Sequence, residues 1–269
     1  MLSDNLASLG QHWVLLMLGD AIRYIIFATS VWLLLWYALA RPLAGRRIRS
    51  QRPPGRQLSK EFLYSMRSIM VFSTASLAAQ IAHRHFGWWD GPKIAASWGP
   101  IWFWASLVLM IVAHDAYFYW AHRLAHHRGL FRWVHRRHHL SNNPSPFTAY
   151  SFDLPEALLM GSFVPLWVLV VPTSWVVVDL FVLHQIVRNT LLHCGIEVMP
   201  ARRDGRPLFD WMTTTTHHDL HHGKVGWNFG LYFTWWDRWL GTEHPDYHRH
   251  FAAAVRRPRA DPDTTPVLA

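Results

Sequence analysis

Apolar residues in this chain gather into long blocks, and the stretches between them are crowded with arginine or histidine. A helix crosses the hydrocarbon core of a bilayer with about 20 largely apolar residues, the range being roughly 17 to 25. Tyr24 to Ala40 (YIIFATSVWLLLWYALA) meets the lower bound without a charge and is the clearest span. Asp20 and Arg23, three residues apart just before it, can face each other at a helix end and mark its outer boundary. A second span is predicted over 62–82, with Arg67 near its start able to snorkel to the interface. A third runs from Trp98 to Trp120; it begins wholly apolar and then brings in His114 and Asp115, so it carries polar chemistry out of the bilayer.

From Ala157 to Val187 the chain is apolar for longer than one span needs, but Pro165 and Pro172 interrupt it, and Pro172-Thr173-Ser174 reads as a stop followed by a helix start. Two shorter helices forming a hairpin would return the chain to the side it left. The expectation is an all-α integral membrane bundle of about four to five membrane helices, hairpin included, with a helical cap on the cytoplasmic side. Residues 1–98 supply the N-terminal helices and a basic connector, 99–245 the chemistry-bearing region, and 246–269 a flexible tail of a single membrane domain, disordered after Arg256.

Composition agrees with this pattern. Of 269 residues, 51% are hydrophobic and 16% charged, with 17 Trp and 15 Phe, beyond the usual soluble average. The mean hydropathy of only +0.04 averages very apolar blocks with basic ones. The net charge of +9 is concentrated: Arg41, Arg46, Arg47, Arg49, Arg52, Arg56 and Lys60 share one connector with no acid among them, which places that connector in the cytoplasm. Because the basic residues flank apolar segments, nucleic acid is not the expected partner. No basic region precedes the first apolar run and no small-residue cleavage site follows it, so the N-terminal segment is expected to stay as an anchor.

The single cysteine, Cys194, excludes an intrachain disulfide and a thiolate-built zinc or iron–sulfur site, and is expected as a small buried apolar residue. Metal chemistry would have to use histidine. His122 and His126 (HRLAH) are four apart; His135, His138 and His139 (HRRHH) and His218, His221 and His222 (HHDLHH) each stand at i, i+3 and i+4, so in a helix each set shares a face. Neutral imidazole suits iron, zinc, copper and nickel. Eight such side chains exceed the needs of one ion, two ions are the economical reading, and His193 makes nine candidates. His12, His83, His85, His244, His248 and His250 stand alone and are read as ordinary histidines. His127 and His217 sit beside stronger candidates as possible supports for them, and His114 and His184 are left open.

Taken together, HDAYFYWAHRLAHH from His114 to His127, HRRHH from His135 to His139, and HHDLHH followed by TWWDRWLGT resemble the three histidine boxes of the fatty acid hydroxylase/sterol desaturase superfamily. The resemblance covers about residues 100 to 245, and LLHCG around His193 resembles that family's extra ligand position. It implies a membrane di-iron oxygenase in which His122, His126, His135, His138, His139, His193, His218, His221 and His222 hold two iron ions and oxidise a lipid C–H bond by hydroxylation or desaturation. Some lipid hydroxylases of the family carry a further histidine four residues before the one matching His193; here that position is Asn189, a weaker ligand that leaves a coordination position open or filled by water. Carboxylates usually orient such imidazoles, and Asp115, Asp219 and Asp237 adjoin the boxes, with helix capping or a bridge to Arg123 or Arg238 as the alternative. Trp235 and Trp236 would form a floor under the third box or an interfacial belt.

No dinucleotide, flavin or haem motif is present, so electrons would come from a separate ferredoxin or b-type cytochrome with its reductase, steered by the basic face. The expected location is a bacterial inner membrane or the endoplasmic reticulum, with the lipid substrate entering from the bilayer. Zinc outranks ferrous iron in affinity and so can substitute in a purified sample. A zinc-dependent membrane hydrolase and a non-enzymatic metal carrier are the alternative classes. The first would use three protein ligands and often a nearby carboxylate base; the second would line a path through the membrane.

Overall fold

The computed structural model describes residues 2–86 and 91–256. The part of the expected tail after Arg256 lies outside them. Among the described residues the architecture is helical, with isolated bridges and no strand.

Helix α1 (Leu2–Leu33) continues into a π turn at Leu34–Ala38, so the first span begins well before Tyr24. After the arginine connector come α2 (Gly55–Phe86), the short α3 (Gly91–Ser97) and α4 (Gly99–Ala125). Three helices are long and apolar enough to cross a membrane, at Ala7–Ala38, Gly99–Ala125 and Trp175–Leu192. Their outward faces are apolar, as at Leu15, Ile26, Ile101 and Val108. The segment expected as a second span is helical within α2 but is not among these three. Its inner face carries polar side chains among apolar ones: Ser65, Ser68 and Ser73 are buried beside Ile69, and Ser65 donates to Phe147 O at 3.0 Å.

The expected hairpin is present, with its breaks shifted. Helices α7 (Leu154–Gly161) and α8 (Phe163–Val170) divide at Ser162, and Pro165 sits inside α8 without ending it. The chain then turns at 171–174 into α9 (Trp175–Leu192), whose N-cap is Ser174, with its side chain accepting from Val177 N. An N-cap hydroxyl satisfies one of the orphan amides of the first turn. Phe163 and Phe181 pack across the two arms, ring centres 5.7 Å apart.

Short helices assemble over the ends of the long ones: α5 (Phe131–Val134), α6 (Arg136–His139), α10 (Thr215–Gly223), α11 (Trp235–Trp239) and α12 (Tyr247–Arg256). The arginine connector straps this layer. Arg49 reaches both carboxylate oxygens of Asp219 on α10, at 2.9 and 3.1 Å, so Asp219 pairs with neither Arg123 nor Arg238. Arg46 donates to Glu197 O at 2.7 Å and to Met199 O. In the π turn, Trp36 donates to Cys194 O at 2.9 Å, and Cys194 is buried as expected. Gly195, next to it, has φ +73, a conformation glycine adopts without strain.

Residues 246–256 correct the expectation of a tail from 246 onward. Tyr247 and Phe251 are buried against Leu220 of α10, an apolar spacing of four residues that places both on one helix face. Replacing a buried Phe by Ala typically costs about 3–5 kcal/mol, so Phe251→Ala should lower the thermal melting point of the detergent-solubilised protein, whereas a tail residue would leave it unchanged.

Candidate metal centre

Nine buried or half-buried imidazoles from four separate segments meet beneath the long helices. They divide into His122, His126, His135, His139 and His221 in one group and His138, His193, His218 and His222 in the other, with one nitrogen of each residue within 4.8 Å of those of its companions. These are the nine histidines singled out in the sequence, in two sets. Hairpin geometry makes the meeting possible: Glu156 at the start of one arm and His193 at the end of the other both lie in the cluster.

Helical phase explains the division. At 100° per residue, positions i+3 and i+4 fall on either side of position i, so their rings diverge. In α10, His218 and His222 serve the four-histidine group and His221 the other; in HRRHH, His135 and His139 serve the five-histidine group and His138 the other. That second segment is two short helices joined at His135, a departure from the single helical face expected for it. Asn189 stands four residues before His193 on α9 as His122 stands four before His126 on α4. Its Nδ2 donates to Ala149 O at 2.7 Å, and its buried Oδ1 has no hydrogen-bond partner.

Backbone and carboxylate acceptors set the tautomers. Nδ1 of His122 faces Phe229 O at 2.9 Å, that of His221 faces Trp227 O at 2.7 Å, that of His193 faces Asn189 O at 2.8 Å, and that of His135 faces Glu156 Oε1 at 2.6 Å. Against the three carbonyls Nδ1 must donate, and against an ionised Glu156 it does the same, which leaves Nε2 of the neutral ring as a bare lone pair. Yet Nε2 of His122 lies 3.0 Å from Nε2 of His135. Nε2 of His126 lies 3.1 Å from that of His139 and 3.2 Å from that of His221. In the other group Nε2 of His193 is 3.2 Å from that of His138 and 2.9 Å from that of His218.

Where Nδ1 of both rings faces an acceptor, as for His122 and His135, two Nε2 lone pairs with no proton between them repel at such a distance, and a cation removes the conflict. Nitrogens about 2.1 Å from one ion and at right angles to each other lie about 3.0 Å apart, so the donor sets fit first-row metal ions. Burial, reinforced by neighbouring histidines, holds His135, His138, His218, His221 and His222 well below the ordinary imidazole range, and burial lowers His139 and His193 to about 4. The rings are therefore neutral near pH 7, as ligands must be.

The remaining sequence candidates act elsewhere. Asp115 accepts from Tyr232 N at 2.7 Å, and Asp237 accepts from the amides of Phe229 and Gly230 at 2.8 Å each. Both hold the loop whose carbonyl orients His122, and neither orients a clustered imidazole directly. His114 bonds to Tyr232 Oη at 2.9 Å, His184 packs on the same ring, His217 lies 3.7 Å from Asp237, and His127 is exposed. None of the four belongs to either group. Trp236 stacks on Tyr119, and Tyr119 packs on Phe229, which in turn packs on His122, His126 and His221. The carboxylate that does orient a clustered imidazole, Glu156, was missed in the sequence; its signal was an acid opening an otherwise apolar hairpin.

A cavity of about 460 Å³ runs between the long helices and the hairpin, lined mainly by apolar side chains. Asn189, Phe118 and Phe152 line it. The Phe118 ring is 5.0 Å from that of His122 and the Phe152 ring 5.4 Å from that of His138, so a single aromatic layer separates cavity from histidines.

The fold and the centre define a helical membrane protein with two adjoining histidine groups able to hold metal ions. The fatty acid hydroxylase family model matches residues 107–242, and the chain belongs to this family, within the fatty acid hydroxylase/sterol desaturase superfamily. It is 29% identical to a Delta(7)-sterol 5(6)-desaturase of Gibberella zeae over 63% of this chain and 53% of that one. Identity to the lathosterol oxidase of Rattus norvegicus is 32% over 53% of this chain and 48% of the relative, and to methylsterol monooxygenase 1 of the same organism 27% over 52% and 46%. The chain thus spans about half the length of the curated relatives it matches. No solved structure matches it with significance.

Removing the group that fixes a ligand imidazole typically costs 10–100-fold in metal affinity. Glu156→Ala should weaken metal binding by about that factor in competition titrations, with helical content retained, and Glu156→Gln should recover part of it.

Acid should act on the metal-free protein with a definite sign. In the unfolded chain His139 and His193 take up protons near 6.5, but in the folded chain only at about 4. The unfolded state binds more protons across that window, so stability falls as pH drops from 6.5 to 4, by about 1.4 kcal/mol per pH unit for each ring. Thermal melts of metal-stripped protein at stepped pH check this.

Proposed function

We propose that the protein is a membrane di-iron oxygenase that uses O2 to hydroxylate or desaturate an unactivated C–H bond of a lipid. The observation that carries the reading is the meeting of nine neutral imidazoles in two adjoining sets beside an apolar cavity that reaches Asn189. Membership of a family whose matched relatives are named for sterol desaturation and methylsterol oxygenation supports it. The converging atoms of both groups are all imidazole nitrogens, and the one carboxylate at the centre, Glu156, is bonded to His135 instead of standing free as the base of a zinc hydrolase would.

His122, His126, His135, His139 and His221 would hold one iron, and His138, His193, His218 and His222 the other, with zinc as a substitute in purified samples. Bound there, the pair of ions would supply the O2 activation and electron transfer that no side chain can perform. The chain's own share is positional. Glu156 and the carbonyls of Phe229, Trp227 and Asn189 fix the rings before any ion arrives, so little reorganisation is needed at the site.

Asn189 lines the cavity and its backbone carbonyl holds His193 of the four-histidine group. Its amide is held by Ala149 O, which leaves Oδ1 to act as a weak ligand or to border an open position. The cavity wall keeps water from the reacting carbon, and Phe118 and Phe152 pass the lipid close to the rings without offering it a hydrogen bond. With the arginine connector in the cytoplasm, the centre lies on the cytoplasmic side of a bacterial inner membrane or the endoplasmic reticulum. Exposed Arg123, Arg128, Arg132 and Arg136 then form a basic rim able to steer an acidic ferredoxin or b-type cytochrome.

His138→Ala or His221→Ala, one from each set, should abolish iron loading at the affected set and turnover while leaving membrane insertion intact, as checked by metal analysis of purified membranes. Full activity in either variant refutes the assignment. Lipid mass spectrometry of membranes with and without the gene should show a species with one oxygen added or two hydrogens lost; unchanged lipids refute the oxygenase reading. Asn189→His should add a ligand to the four-histidine set and raise its iron affinity about tenfold or more in the same titrations.

A further inference from the structure

The cavity that reaches Asn189 has a polar end as well, lined by Asp20, Arg23 and Asp179. Arg23 bonds to Asp20 Oδ1 at 2.5 Å and to Asp179 Oδ1 at 3.2 Å, and Ser73 donates to Asp20 Oδ2 at 3.2 Å. Along α9, ten residues separate Asp179 from Asn189, a rise of about 15 Å, and Val182, Gln185 and Ile186 line the wall between them. The triad and Asn189 therefore sit about 15 Å apart along a single cavity.

Pairing alone does not account for this triad. Asp20 and Arg23 lie inside the apolar stretch Ala7–Ala38, where ionisable groups are costly and mark functional positions. Asp20 by itself would neutralise Arg23. Asp179 comes from another helix, its side chain 68% exposed, and it changes a neutral pair into a group with one net negative charge. Arg23 Nε is buried without a partner, so the guanidinium keeps one donor free, and the carboxylates keep acceptor lone pairs.

That charge decides which headgroup fits. A carboxylate, sulfate or phosphate would meet two aspartates that already occupy the arginine. A hydroxyl can donate to Asp179 or Asp20 and accept from Arg23 at once. His12 and Gln80, bonded to each other at 2.7 Å, line the same cavity and add no carboxylate or guanidinium to it.

We propose that Asp20, Arg23 and Asp179 form the headgroup site of the lipid cavity. It selects an uncharged, hydroxyl-bearing lipid over an anionic one, and it holds the hydroxyl about 15 Å from Asn189, so the carbon offered to the histidines is remote from the headgroup. This rests on the cavity being the substrate site of the proposed oxygenase.

The test measures binding to the purified full-length protein in nanodiscs, with and without iron, using two matched probe pairs: cholesterol with cholesterol sulfate, and hexadecan-1-ol with hexadecyl sulfate. At least one alcohol should bind tenfold or more tighter than its sulfate. Asp179→Asn, which frees one side of Arg23 and removes the net charge, should shrink that preference at least tenfold with an unchanged melting point. Sulfates binding as well as both alcohols, or a preference unmoved by Asp179→Asn, would overturn the proposal. Because no turnover is read, alcohol selectivity in a protein that oxidises nothing would defeat the oxygenase reading and leave this one standing; oxidation without selectivity would do the reverse.

Discussion

Everything in this molecule depends on keeping nine uncharged imidazoles packed together with nitrogens turned toward one another. Left alone, such an arrangement is electrostatically unfavourable at His122 and His135, whose Nδ1 atoms face Phe229 O and Glu156 while their Nε2 atoms stand 3.0 Å apart. Burial compounds the conflict by resisting protonation. The surrounding structure must therefore be strong enough to hold the rings in place, and much of the cap serves that purpose. Asp115 and Asp237 fasten the 229–233 loop, Tyr247 and Phe251 brace α10, and the arginine strap ties α10 to the connector.

The centre also has an internal order. Each of two segments gives its i and i+4 rings to one set and its i+3 ring to the other, in opposite senses. Each set further draws on the end of a long helix, α4 for one and α9 for the other. The one break in this correspondence is Asn189, where the matching position on α4 is His122. The asymmetry thus falls at the residue that lines the cavity, which is where the proposed oxygenase would use an open position.

Much of this was legible in the residues. The histidine spacings singled out eight of the nine clustered rings, because the 3.6-residue period imposes which side chains can converge, the LLHCG resemblance added His193, and the run of apolar blocks gave the helical membrane class. Ser174 and Pro172 marked the hairpin turn by local chemistry alone. What escaped the sequence depended on distant partners. Glu156 meets His135 only after the hairpin folds back, Asp219 meets an arginine 170 positions away, and the 247–256 helix looks polar until Tyr247 and Phe251 find Leu220. The division of the rings into two sets was likewise invisible, since a shared helical face does not say how neighbouring rings on it are apportioned.

The strap formed by Arg46 and Arg49 has an implication for the family region at 107–242. Two of its load paths, the Asp219 carboxylate and the 195–199 backbone, end on side chains and amides contributed from outside that region. The histidine-bearing stretch is therefore not a portable module: transplanted without the connector, it would carry every ligand and lack the brace that keeps α10 in register.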